Sequence, residues 1–182
     1  DAAADDHAAG ASQYSGAAIY ARYCALCHGA DRQGYAADEA PSLRSPQLIS
    51  SATSSYLWTA ISYGRPNTAM AAFQDTMGGP LPHDAQHALI DWLIAESGHE
   101  RNPVEDVPVT GESEKGKMVY KTHCAECHGS SGEGGTGTAL ANPVFLATAS
   151  DAFIRHTIVN GRDGTPMRAF QDHLTESQIN DV

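Results

Sequence analysis

The sequence predicts an all-α chain made of two tandem copies of one small domain. Three observations carry that prediction: a long-offset internal repeat, apolar residues at helical spacing in both copies, and one cysteine pair at the same place in each copy.

The repeat sets the domain count. Cys24 and Cys27 recur 100 residues later as Cys124 and Cys127, and Gly16 and Tyr20 recur as Gly116 and Tyr120. A difference of three residues in one loop then lowers the offset to 97, and residues 41–75 align with 138–172 without a gap. Leu43/Leu140, Pro46/Pro143, Ile61/Ile158, Gly64-Arg65/Gly161-Arg162, Thr68/Thr165 and Met70/Met167 match, and Ala72-Phe73-Gln74-Asp75 recurs as Ala169-Phe170-Gln171-Asp172. Between the copies, residues 99–111 hold Pro103 and Pro108 among acidic residues with no apolar period, which reads as an extended linker. Domain one is placed at 13–98 and domain two at 112–182, after a polar, Ala- and Asp-rich stretch at 1–12 that reads as a flexible N-terminal extension.

Within each copy, 15–23 and 112–123 carry apolar residues at helical spacing and run into the cysteine pair. Residues 54–63 and 150–160 form a second helix, with Ser or Thr available to cap the first turn and Gly64 or Gly161 beyond the end. A third helix at 83–97 sets Ala88, Leu89, Trp92 and Leu93 on one face and stops at Gly98. Its counterpart starts at Thr175, and the offset puts the partner of Trp92 past Val182, so this last helix reads as incomplete in the chain.

Domains of about 80 residues bury little apolar surface and usually need a staple. Here 41% of residues are hydrophobic and only 7% aromatic, a thin supply for two cores unless a large apolar group is added. The formal charge of −11, with eleven scattered Lys and Arg, argues against a nucleic-acid-binding face. It suits solubility, or attraction to a partner with a basic docking face. No run approaches the roughly 18 apolar residues of a membrane span, and no signal peptide opens the chain, although a removed anchor would leave no trace here.

Each cysteine pair is followed directly by histidine, as Cys24-Ala25-Leu26-Cys27-His28 and Cys124-Ala125-Glu126-Cys127-His128. That is the spacing for covalent attachment of a c-type haem. Two thiols on one helical turn each add to a vinyl group, and the next histidine points under the ring to bind iron. A zinc site is the first alternative, but its two pairs would be separated by 96 residues, far from ribbon spacing, and it leaves the histidines unexplained. A redox dithiol or disulfide is the second, and it also ignores the histidines.

With these motifs in view, each half resembles a class I bacterial cytochrome c domain. The resemblance runs from residue 13 to 182 and rests on the Gly/aromatic first helix, Cys-x-x-Cys-His-Gly, and a methionine in the loop before the last helix. It implies two tandem all-α domains holding two haem c groups, with His28 and His128 as proximal ligands and Met70 and Met167 as distal ones. Met70 follows His28 by 42 residues and Met167 follows His128 by 39. Met77 competes in domain one but has no counterpart, and Met118 in the first helix reads as core. The resemblance also implies that a proline carbonyl orients the proximal histidine; Pro41 fits, while Thr138 stands at the equivalent place. Arg65 and Arg162 are candidates to pair with haem propionates, the alternative being exposed loop arginines. Trp58 and Tyr63 face Arg155 and Asn160 in the alignment, so the two sites are expected to differ around shared ligands. The remaining histidines (His7, His83, His87, His99, His123, His156 and His173) do not repeat and read as surface or capping residues.

His/Met ligation leaves no open iron position, so the function expected is one-electron transfer between redox protein partners rather than catalysis. The alternatives are a module or subunit of a larger redox enzyme, a dihaem peroxidase-like enzyme, and a gas or redox sensor. Haem attachment of this kind implies the periplasm or its equivalent, where free thiols would otherwise pair.

Overall fold

The computed structural model of the chain describes residues 13–182. The expected N-terminal extension, with His7, lies outside the described residues. Ten α-helices and one 3₁₀ turn follow one another among the described residues, with no strand. Domain one holds α1 (Gly16–Tyr23), α2 (Ala25–His28), α3 (Pro46–Ser51), α4 (Ser54–Tyr63), a 3₁₀ turn at Asp75–Met77, and α5 (His83–Ser97). Domain two repeats the order with α6 (Ser113–His123), α7 (Ala125–His128), α8 (Pro143–Thr148), α9 (Asp151–Asn160) and α10 (Glu176–Asp181).

Helices α4, α9 and α10 start where the sequence offers caps. Thr53 accepts from Tyr56 N at α4, Ser150 accepts from Phe153 N at α9, and Thr175 closes a capping box with Gln178 at α10. Helices α1 and α5 cross at Gly16, where a Cβ would lie well inside 3.0 Å of Ala88 O and Trp92 Cβ. Only glycine lets the two backbones approach so closely. Gly116 does the same beneath α10, against Asp181 O.

Domain one is built around Ile19, Tyr20, Leu81, Ala85, Leu89 and Leu93. On α5 the expected Leu89 and Leu93 are buried, while Ala88 and Trp92 sit half-buried at the crossing. Gln86 is buried too, and both ends of its amide are bonded: it accepts from Ser62 Oγ at 2.5 Å and donates to Leu81 O at 3.1 Å. Domain two has a smaller cluster of Val119, Phe170, Leu174 and Ile179. Met118 is a correction, since it is 64% exposed rather than core. Gly116 and Val119 define the inward face of α6, which turns Met118 outward.

The domains dock through their middle helices. One apolar cluster joins Leu48, Ile49, Ala52, Leu57 and Ile90 of domain one to Phe145, Ala149 and Phe153 of domain two. The pairing is reciprocal, with α3 on α9 and α4 on α8. Two polar contacts follow the same exchange: Asn142 Nδ2 donates to Pro66 O at 2.7 Å, and Asp163 N donates to Gln47 Oε1 at 2.9 Å. Pro66 and Asp163 are counterparts in the repeat, so the seam has a pseudo-two-fold axis like that of an isologous dimer. The linker is strapped to domain one, through Asn102 N to Ser50 O, Val104 N to Ser51 O and the Arg101 guanidinium to Ile49 O.

Candidate haem-binding sites

Each domain makes one turn in which both cysteines and the histidine are held by backbone bonds. His28 N donates to Cys24 O at 2.9 Å and Gly34 N to His28 O at 2.8 Å. In domain two, His128 N to Cys124 O and Gly134 N to His128 O repeat those bonds at 2.9 and 2.8 Å. Gly29 and Gly129 leave the turn at φ 81° and 83°, a conformation that favours glycine. A phenol pins each exit: Tyr20 Oη donates to Gly29 O at 2.6 Å, and Tyr120 Oη to Gly129 O at 2.8 Å. Burial pushes the Tyr20 phenol up to about 12.

The imidazoles are oriented alike. His28 Nδ1 lies 2.8 Å from Pro41 O, and His128 Nδ1 lies 2.8 Å from Thr138 O. Exchange of proline for threonine leaves this contact unchanged because the acceptor is backbone. With Nδ1 committed, Nε2 is the nitrogen left to bind a metal. Burial also holds the His28 imidazole below its usual range, against the opposing effect of the Pro41 carbonyl, and so keeps it in the neutral, ligating form.

The methionine loops are superposable in their bonding. Arg65 N donates to Met70 O at 2.8 Å while Thr68 Oγ1 bonds Arg65 O and accepts from Met70 N. Arg162, Thr165 and Met167 repeat every one of these bonds. Both methionines are half-buried, whereas Met77 is 55% exposed on its 3₁₀ turn. The arginine side chains turn inward. Arg65 Nη2 donates to Tyr56 Oη at 3.3 Å and Arg162 Nη2 to Thr157 Oγ1 at 2.9 Å, while Nη1 of each is buried with no partner. Burial lowers the Arg162 pKa to about 10.

These residues fit a covalent haem. All four cysteines are free thiols, and burial followed by the neighbouring Cys27 raises Cys24 to about 11, with Cys124 raised for the corresponding reasons. No group of three or more His, Cys, Asp and Glu converges among the described residues, which removes the zinc geometry. The buried, unpartnered donors at Trp58 Nε1, Arg65 Nη1 and Arg162 Nη1 are of the kind that would satisfy carboxylate groups carried on a large apolar ring. Trp58 was legible only as a difference between the copies. Its counterpart Arg155 is spent elsewhere, on Asn180 Oδ1 at 2.7 Å and Glu176 Oε1 at 3.0 Å.

A family model described as "Cytochrome C oxidase, cbb3-type, subunit III" matches residues 11–93 and 111–182. The chain belongs to that family. The match covers both copies, so the all-α fold of two tandem cytochrome c domains stands, and covalent haem c is the cofactor the family implies. Among relatives of this chain, the cbb3-type cytochrome c oxidase subunit CcoP of Azospirillum sp. (strain B510) is 28% identical, over 93% of this chain and 60% of its own length. Subunit FixP of Azorhizobium caulinodans is 28% identical, over 90% of this chain and 55% of its own. The chain therefore spans little more than half the length of these relatives. A chain of the Kuenenia stuttgartiensis reducing HAO-like protein complex superposes with a TM-score of 0.52 over 91% of both chains at 20% identity, a likeness of fold. No helix among the described residues is long and apolar enough to cross a membrane.

Proposed function

We propose that this chain is the haem-bearing, electron-transferring part of a cbb3-type oxidase subunit, with one covalent haem in each domain. The observation that carries this reading is the duplication of a complete ligand set in one backbone setting: two cysteines, an oriented histidine and a methionine held by the same bonds in each copy. Each haem, when bound, supplies a reversible one-electron iron couple. The residues around it do the rest. Cys24 and Cys27, and Cys124 and Cys127, anchor the ring. His28 and His128 would hold the iron through Nε2, and Met70 and Met167 would supply its other protein ligand, a set that offers no position to a substrate. Trp58 and Arg65 offer two donors to propionates in domain one where domain two offers Arg162, so the two centres have unequal potentials.

A freely diffusing shuttle is the first expectation from the sequence; similarity to oxidase subunits longer than this chain favours the alternative, a module of a larger complex. The chain then takes single electrons from a donor on the periplasmic side and hands them to the next centre of the oxidase. Intact mass and haem staining test the cofactor count: two haems resistant to denaturation are expected, and one or none overturns the proposal. Rapid CO binding by the reduced protein at neutral pH would expose an open iron position and refute the ligand set.

A further inference from the structure

Both propionate-facing arginines run to one place, the aromatic centre of the seam. The Arg65 guanidinium carbon lies 5.6 Å from the Tyr56 ring centroid, and that of Arg162 lies 5.2 Å from the Phe153 ring. The two rings meet across the domain boundary at 4.8 Å. Tyr56 and Phe153 are counterparts in the repeat, so this centre is pseudo-symmetric except for one atom, the Tyr56 hydroxyl. That oxygen accepts from Arg65 in its own domain, while the Tyr56 ring packs on the Phe153 ring over which Arg162 lies in the other. Each guanidinium also keeps a buried Nη1 without a partner. The ion pairs among the described residues involve Arg32, His83, Lys115, Lys117 and Arg155, and neither of these two. Two guanidinium groups flank one aromatic pair, each with a buried donor that an anion would satisfy, and at a partly buried seam their fields reach across it.

We propose that Tyr56 is a positioning residue that couples the two haem centres: its hydroxyl holds Arg65 and its ring packs on the Phe153 ring over which Arg162 lies, so the potential of each centre depends on the charge held in the other domain. The proposal rests on the reading that each domain carries a haem whose propionates use the free Nη1 donors. It assigns a role to an interface residue that neither the cysteine motifs nor the axial ligands touch. It also explains why the seam buries arginine where a pair of apolar residues would pack at lower cost.

The test is a double-mutant cycle on the haem-loaded protein, with Tyr56→Phe, Arg162→Gln and the double variant. Both midpoint potentials are measured by potentiometric titration, with the domain-one centre assigned through Met70→Ala. Arg162→Gln is expected to shift the domain-one centre as well as its own. The cross-domain part should change electron sharing by about threefold, or about 28 mV at 59 mV per tenfold, and should vanish in the Tyr56→Phe background. An Arg162→Gln shift confined to domain two would overturn the coupling. So would a cross-domain shift of the same size with and without the hydroxyl. A role for Tyr56 in packing alone would move the unfolding midpoint and leave both potentials in place, which also counts against the proposal. Haem content separates this failure from that of the underlying reading: fewer than two haems defeats the reading, whereas two intact haems with independent potentials defeat only the coupling.

Discussion

Removing one oxygen, by Tyr20→Phe, tests how the haem-attachment turn is held. Tyr20 is 2% exposed, and its hydroxyl makes a 2.6 Å bond to Gly29 O, the carbonyl directly after the proximal histidine. Phenylalanine keeps the ring and leaves that carbonyl buried without its donor, a loss of about 1–3 kcal/mol. The pH dependence gives a second, independent readout. Burial raises the phenol from 10.0 to about 12, so the fold favours its neutral form. The next contributor, charge on Cys24, disappears once that sulfur is a thioether, which leaves burial as the main cause. Because the folded value is raised, this stability is fully present below pH 10 and is lost as pH climbs towards 12. Denaturant unfolding of the haem-loaded protein should therefore show Tyr20→Phe less stable than the parent at pH 7. The two should converge above pH 10, since the variant has no phenol to ionise. Tyr120→Phe should cost less, because Tyr120 is only half-buried. Equal stability of Tyr20→Phe and the parent at pH 7, or a gap that widens at alkaline pH, would refute the reasoning.

Gly16→Ala should destabilise domain one by about 1–2 kcal/mol, because overpacking against Ala88 and Trp92 exceeds the gain of about 1 kcal/mol in helix propensity; thermal unfolding that rises instead would contradict the close crossing. Asn142→Ala removes both the cap of α8 and the bond to Pro66 O, for a loss of about 2 kcal/mol. Faster amide exchange in α8 and α4 should accompany it, and unchanged exchange would count against the docked seam.

Much of the fold was legible because local signals and the repeat agreed. The helix at 54–63 lies between the Thr53 cap and Gly64, and the helix at 83–97 stops at Gly98, as their punctuation indicates. The orientation of His128 by Thr138 was the feature in doubt, and it holds because a carbonyl is indifferent to its side chain. The short helices α3 and α8 were not legible, since six residues are too few to display a 3.6-residue period. Their packing supplies the seam, which depends on contacts far apart in sequence that no local pattern encodes. Met118 was misread as core although a signal existed: its counterpart Ala18 lies on the outer face of α1. The partnering of Arg65 and Arg162 with the seam rings also had to await coordinates, because aligned arginines show repetition and not direction.

Two His/Met centres with the same ligand set and unequal surroundings are expected in this chain, and methionine ligation is the most specific part of that expectation. The sulfur-to-iron charge-transfer band of the ferric protein reads it directly. We expect a band of two-haem intensity that falls by half in Met70→Ala and by half in Met167→Ala, and that is untouched in Met77→Ala. Absence of the band from the parent protein, or its loss in Met77→Ala in place of Met70→Ala, would contradict the account.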